Sequence, residues 1–187
     1  MARQICATEA AGKDRRKPRF LAFLSDRKGA SFVEFAIIAL PLFLLFFGII
    51  EVGLILWGGL DLENATMDAA RLIRTGQAQT MTASALKAKI CSEVVILSNC
   101  SSKLQVNIQT FPGGFSTMTL PKPLDSQHNF VTTFNGDPTQ VAAGQDVLVT
   151  TYYAWPLIDP LTVAALSNMA GGNFLLQSAA AFRSEPF

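Results

Sequence analysis

The chain has 187 residues, of which half are apolar and only 16% are charged, and its formal net charge is +1. This composition is too apolar for a disordered chain, and the length suits one domain together with a membrane segment. The net charge hides an asymmetry, because residues 1–29 hold eight Lys or Arg and three acids, whereas the remainder holds seven and eleven. A basic segment therefore precedes an acidic remainder.

The next segment is apolar enough to cross a membrane. Phe35 to Ile50 carries no charge, and after Glu51 a second uncharged run reaches Leu60. A helix that rises about 1.5 Å per residue would span a hydrocarbon core of about 30 Å over this length. We therefore expect a transmembrane helix over residues 30–60. The alternative is a removable secretory signal, whose apolar region is usually shorter, about 7 to 15 residues, and ends at a small-residue cleavage site.

The basic residues before this helix indicate its orientation. Excess Lys and Arg on the amino-terminal flank predicts that this end stays in the cytoplasm and that the carboxy-terminal domain is exported. The stretch KDRRKPR (residues 13–19) could also suggest nucleic acid. Before a membrane helix, however, such a stretch is better explained as an orientation signal with affinity for anionic lipid, and we expect no nucleic-acid partner.

Periodicity predicts that the helix continues beyond the membrane. Apolar or small residues recur at steps of three and four, with charged residues between them, and Gly76 is a natural carboxy-terminal stop. The apolar positions are Leu62, Ala65, Ala69, Leu72 and Ile73. One helix of roughly forty-five residues should thus begin in the membrane and end in solvent with an apolar stripe.

After Gly76 the pattern predicts a small α+β domain over residues 61–187. A short second helix from Thr82 has Leu86, Ile90 and Val94 on one face. Three strand-like segments follow, KLQVNIQTF, DVLVTTYYAW and the weaker NFLLQSAAAFR, separated by turn-forming clusters. We expect an antiparallel sheet with one face covered by the amphipathic end of the long helix.

The three cysteines agree with export. A bridge between Cys91 and Cys100 would contribute about 2 to 3 kcal/mol in an oxidising compartment, although two buried free thiols remain an alternative. Cys6 lies on the predicted cytoplasmic side and should stay reduced. No C-x-x-C pair or zinc-like spacing occurs, so neither metal nor redox chemistry is indicated.

Residues typical of enzymes are scarce. His128 is the single histidine and lies in a polar loop, and phosphate-loop, dinucleotide and serine-hydrolase patterns are absent. Tyr152, Tyr153 and Trp155 could line a ligand groove, but a strand face in the core explains them more simply. The sequence therefore predicts a protein that is not an enzyme and needs no cofactor.

Glu34 raises a separate question, since a carboxylate at bilayer depth costs about 2.5 to 3.5 kcal/mol on insertion scales and such residues tend to have a functional partner. The surrounding residues are informative. The stretch GASFVEF (residues 29–35), which leads into a long apolar helix, resembles the processing site of type IV pilin-like subunits. The resemblance rests on Gly29, Ala30, Glu34 and Phe35. The order of features in RKGASFVEFAIIALPLFLLFFGIIEVG is most similar to TadE-like pseudopilins of the tight-adherence (Flp) pilus system. The paired cysteines, YYAWPLIDPL and the terminal FRSEPF also resemble that family.

The resemblance implies a function and a set of partners. It implies that a prepilin peptidase removes residues 1–29 by cleavage after Gly29 and that Glu34 and Phe35 serve recognition and assembly. The expected product is a noncatalytic subunit of the inner membrane, associated with other pilus subunits, an assembly platform and lipid. The alternative is an uncleaved single-pass protein whose exported domain binds a periplasmic ligand.

Overall fold

The computed structural model describes residues 29–132 and 134–187, so the predictions for residues 1–28, Cys6 included, lie outside the described residues. Residues 43–187 form one compact unit, and residues 29–42 are the described part of a second. In the second unit the chain is helical from Ala30, and most of its large apolar side chains are exposed. The architecture is α+β, as the sequence predicts.

The long helix α1 runs from Ala30 to Arg74, with Pro41 inside it. It is long and apolar enough to cross a membrane, judged by length and composition. Its carboxy-terminal end is close to the predicted one, because Gly76 adopts a left-handed conformation with φ of 74° and donates its N–H to the carbonyl of Ile73. A left-handed glycine at this place is a common way of ending a helix.

The remaining helices are short. Helix α2 spans Ala83–Glu93, and the Thr82 side chain caps it by accepting a hydrogen bond from the N–H of Ala85. Helix α3 (Cys100–Lys103) leads directly into the first strand, and helix α4 (Pro160–Leu166) lies between the last two strands. Helix α4 was not predicted from the sequence.

Three strands form one antiparallel sheet in the order β1-β2-β3. They are β1 (Leu104–Phe111), β2 (Asp146–Pro156) and β3 (Asn173–Arg183), which match the three segments expected from composition. Strand β1 pairs with β2 in a register that sets Leu104 opposite Tyr153, and β2 pairs with β3 so that Thr151 lies opposite Ser178. The central strand β2 is buried along most of its length.

The core lies between the sheet and the carboxy-terminal part of α1. The predicted stripe is buried at Leu62, Ala65, Ala69 and Ile73, while Leu72 is partly buried against the same cluster. Thr66 adds a polar contact, since its hydroxyl lies 2.6 Å from that of Thr151 on β2 and also donates to the carbonyl of Leu62. The helix thus covers one face of the sheet, as periodicity predicts.

The opposite face of the sheet is contacted by the long connection between β1 and β2. Asn107 is buried there, and its side-chain oxygen accepts the N–H of Asn135. The ring of Phe134 lies 5.4 Å from that of Tyr152, measured between centroids. These contacts explain why polar Asn107, at an alternate position of β1, is not exposed.

The predicted pairing of Cys91 with Cys100 is present in the structure, with the two Cα atoms 5.6 Å apart. The bridge joins the end of α2 to the start of α3, and Cys100 belongs to the core while Cys91 is packed against it. Because the bridge closes a short loop beside an extensive core, it should stabilise the domain without being needed for its folding.

We expect the double variant Cys91→Ser, Cys100→Ser to keep its secondary structure and to lose about 2 to 3 kcal/mol of unfolding free energy, the amount that closing this loop contributes. Chemical denaturation followed by circular dichroism measures the loss. The control is reduced wild-type protein, which should unfold at the denaturant concentration of the double variant. Equal stability of oxidised and reduced wild type would contradict the prediction.

Candidate functional site

The predicted processing motif lies at the start of α1. Gly29 directly precedes the helix, and Glu34 and Phe35 are both exposed on its first turns. A Cβ added at Gly29 would meet no atom of the described residues within 4 Å. The motif therefore lies at a helix start, and a larger side chain at Gly29 would not clash with the part of the chain that the structure describes.

A second carboxylate of α1, Glu51, is buried, and three donors that follow β2 bind it. One carboxylate oxygen accepts the N–H of Ile158 at 2.7 Å, and the other accepts the N–H of Asp159 at 3.0 Å and the hydroxyl of Thr162. The side chain is 8% exposed. We call Glu51 with Ile158, Asp159 and Thr162 the Glu51 site.

The donors of the Glu51 site belong to the amino-terminal end of α4. Asp159 is the residue before the helix, but its own side chain makes no capping hydrogen bond, and Pro160 supplies no N–H. The free N–H groups at a helix start favour a negative charge, and Glu51 provides one from another element. This arrangement fixes α4 against α1 and satisfies a carboxylate that would otherwise be costly in apolar surroundings.

Two glycines of α1 allow the chain after β2 to approach closely. A Cβ at Gly48 would lie 2.9 Å from Oδ2 of Asp159, and a Cβ at Gly58 would lie 2.7 Å from Cζ3 of Trp155. Oδ2 of Asp159 is buried and has no hydrogen-bond partner among the described residues. Larger side chains at these two positions would force α4 and the end of β2 away from the helix.

Asp61 repeats the arrangement ten residues farther along α1. Its Oδ2 accepts the N–H of Val95 at 2.7 Å and that of Ile96 at 3.2 Å. These groups lie in the turn that follows α2. Carboxylates of α1 thus bind backbone donors of two separate connections, which orients the domain on the helix at two levels.

An apolar groove of about 580 Å³ lies beside the Glu51 site. Its lining includes Leu44, Phe47 and Leu54 of α1, with Tyr153 and Trp155 of β2. Tyr153 and Trp155 are also members of the core cluster, as the simpler explanation from the sequence expects. The same two side chains therefore belong to the core and line the groove. Tyr152 is buried on the other face of the sheet.

The hydroxyl of Tyr153 donates to the carbonyl of Ser98 at 2.5 Å. Burial raises the pKa of Tyr153, and a smaller, opposite contribution comes from a side-chain hydrogen bond with Ser98. The phenol is therefore neutral at ordinary pH and acts as a fixed donor at the rim of the groove. It ties the loop before α3 to the central strand.

No group of three or more His, Cys, Asp or Glu that could hold a metal occurs among residues 29–132 and 134–187. His128 is exposed in its loop, where the backbone has a φ of 62°. Its carbonyl accepts the N–H of Ala170, so the residue contributes to loop structure.

Sequence reasoning did not assign a role to Glu51, which appeared only as the charge between two uncharged runs and within the stretch that resembles TadE-like pseudopilins. The available signal was a single carboxylate inside an apolar run, with Gly48 and Gly58 nearby at helical spacing. Its partners could not be predicted, because Thr162 is separated from Glu51 by 111 positions in the sequence.

We expect Glu51→Ala to weaken the attachment of α4 by about 2–4 kcal/mol, since buried donors left without an acceptor cost about 1–3 kcal/mol each. Hydrogen exchange of a peptide covering residues 157–166 should then quicken by about 30-fold or more, the equivalent of about 2 kcal/mol. Exchange in the β1-β2 ladder should stay close to that of the wild type.

The matched control for this prediction is Glu63→Ala, which removes an exposed carboxylate from the same helix. Glu51→Gln keeps one acceptor oxygen and should lie between Glu51→Ala and the wild type. Exchange over residues 157–166 that is the same in Glu51→Ala and Glu63→Ala would show that the carboxylate does not hold α4.

Comparison with known proteins supports the resemblance found at the start of the chain. Residues 29–71 match the family model described as TadE-like protein. No curated protein and no solved structure matches the chain. The match begins at Gly29, covers most of α1 and ends before the sheet, so the likeness of the carboxy-terminal domain to the family stays a prediction. From Gly29 through most of its long helix, this chain is similar to TadE-like proteins.

Proposed function

We propose that this chain is a minor pilin or pseudopilin of a tight-adherence (Flp) pilus, processed by a prepilin peptidase after Gly29. The observation that carries the proposal is the motif from Gly29 to Phe35 at the start of a long apolar helix, in the stretch that matches the TadE-like model. The exposure of Glu34 and Phe35 on that helix supports a role in recognition.

The proposal includes a location. The helix is anchored in the inner membrane with its amino-terminal end in the cytoplasm, because Lys and Arg are concentrated before it. The domain that contains the sheet then lies in the periplasm. The Cys91–Cys100 bridge is consistent with such an oxidising compartment.

The role is structural and noncatalytic. The partners are the prepilin peptidase, other pilus subunits, the inner-membrane assembly platform and membrane lipid. Cleavage after Gly29 creates a positive α-amine on Ala30, about one helical turn from Glu34. The two charges can pair within a chain or between neighbouring subunits, which reduces the cost of the carboxylate in lipid and fixes the stagger between helices.

A second candidate function is that of an uncleaved, membrane-anchored module that binds a periplasmic ligand. The apolar groove beside Tyr153 and Trp155 is the observation that favours it. Sequencing the amino terminus of the mature protein separates the two functions. A chain that begins at Ala30 supports the pilin, and an intact segment 1–29 supports the anchored module.

We expect Gly29→Val to accumulate as the full-length precursor. A small residue lets an extended substrate enter the peptidase cleft, whereas the added Cβ meets nothing in the described structure, so folding should be unaffected. Mass spectrometry of the protein from membrane fractions shows whether residues 1–29 are still attached. A variant that matures to the wild-type mass would show that the cleavage site is misassigned.

We expect Glu34→Ala to insert and to be largely processed but not to co-purify with pilus subunits. Insertion does not need the carboxylate, because the apolar run after it is unchanged, whereas association loses a charge pair. Glu34→Gln should be only partly better, since it keeps hydrogen bonding without charge. Recovery in sheared pili or crosslinked envelope complexes is the measurement, and Glu63→Ala, on the same helix, is the control. Equal recovery of Glu34→Ala and the wild type would contradict the pairing.

A further inference from the structure

We propose that residues 157–166, the segment that contains α4, form a membrane-contacting foot which lies in the interfacial layer of the lipid bilayer. This inference rests on the proposed insertion of α1 in the membrane and does not depend on the pilus. The partner of this surface is lipid. The foot would fix how closely the sheet domain (residues 77–187) approaches the membrane.

The position of the foot along α1 carries the inference. Helix α4 lies beside residues 45–52 of α1, where a shallow apolar depression joins the two helices. Its lining comes from Leu45, Gly48, Ile49 and Val52 of α1 and from Leu161, Thr162, Ala165 and Leu166. Residues 45–49 belong to the uncharged run Phe35–Ile50. The foot therefore borders the part of the helix that is built for hydrocarbon.

The helix length indicates the depth. About 20 helical residues cross a hydrocarbon core of about 30 Å, so a span that starts at Phe35 ends near Leu54. Glu51, which binds the foot, then lies close to the end of the span. Trp57 follows Glu51 by six residues and is 58% exposed, as suits a tryptophan at the level of the lipid headgroups.

The surface of the foot is apolar where it is exposed. Ile158 is 87% exposed and Leu161 is 48% exposed, although both side chains are large and apolar. The segment contains no Lys or Arg, and its one acid, Asp159, is 7% exposed. Together with the exposed apolar side chains of α1, this surface continues the membrane-facing surface of the helix. A large exposed apolar patch continuous with a membrane span indicates contact with lipid.

The Glu51 site lowers the free-energy cost of placing the foot against lipid. A loop that borders the hydrocarbon core must satisfy the backbone N–H groups on that side within the protein, because the core holds no water to bind them. Glu51 accepts the N–H groups of Ile158 and Asp159, and the Thr162 hydroxyl also donates to it. The foot therefore presents side chains to lipid while its first donors are bound to protein.

Val95 offers a matched comparison with Ile158. Each is 87% exposed, and each donates its N–H to a carboxylate of α1, Ile158 to Glu51 and Val95 to Asp61. Ten helical residues separate the two carboxylates, about 15 Å along the axis. Lipid should therefore surround a probe at position 158, and water should surround a probe at position 95.

The test uses full-length protein with Cys6→Ser, which leaves the Cys91–Cys100 bridge intact. Single variants Ile158→Cys, Val95→Cys and Leu45→Cys are spin-labelled and reconstituted at low density in phosphatidylethanolamine and phosphatidylglycerol vesicles. Paramagnetic resonance then compares collisions with oxygen, which concentrates in lipid, and with a water-soluble nickel chelate. We expect the ratio of oxygen to nickel collisions to be several-fold higher at positions 158 and 45 than at position 95.

The other outcomes overturn the inference in distinguishable ways. If position 45 is in lipid but positions 158 and 95 are equally accessible to nickel, the foot does not contact the bilayer, and membrane insertion stands. If position 158 is shielded from both reagents and its spectrum is broadened by neighbouring labels, a second copy of the chain covers it instead. If position 45 itself is accessible to nickel, α1 is not inserted, and both the inference and the proposed location fail.

Discussion

The hydrogen bonding of one carboxylate inside an apolar helix is the interaction on which the arrangement of this molecule depends. Glu51 separates two uncharged runs of α1. Burying its carboxylate without hydrogen-bond donors would cost free energy. The start of α4 supplies its hydrogen bonds, and Gly48 leaves the room for that approach. Because the donors come from a segment far away in the sequence, the charge is satisfied only when the domain has folded onto the helix.

The long helix consequently has two kinds of surface. Its amino-terminal residues are exposed and apolar, as a lipid-facing helix requires, whereas Leu62, Ala65 and Ala69 are buried against the sheet. Between these regions, Glu51 and Asp61 bind backbone donors of two connections. Polar contacts therefore set the orientation of the domain on the helix, and apolar burial supplies most of the stabilisation.

Sequence reasoning predicted the regular elements well where the pattern was periodic. The stripe from Leu62 to Ile73 is buried, the helix ends two residues before Gly76, and the three strands have the expected segments. It missed α4, because PLTVAAL is short, is apolar except for Thr162, and has no capping side chain of its own. It also gave no role to Asn107, whose burial depends on the distant Asn135.

The sequence by itself determined the long apolar helix, its amphipathic end, the sheet and the motif that begins at Gly29. Each of these depends on hydrophobic period, local turn chemistry or neighbouring residues, all of which can be read along the chain. Only the tertiary structure decided what Glu51 and Asp61 bind, which glycines are needed for close packing, and that α4 lies beside residues 45–52. These features join residues far apart in sequence, and hydrogen-bond partners at such separations leave no periodic trace, because they depend on how the chain folds back on itself.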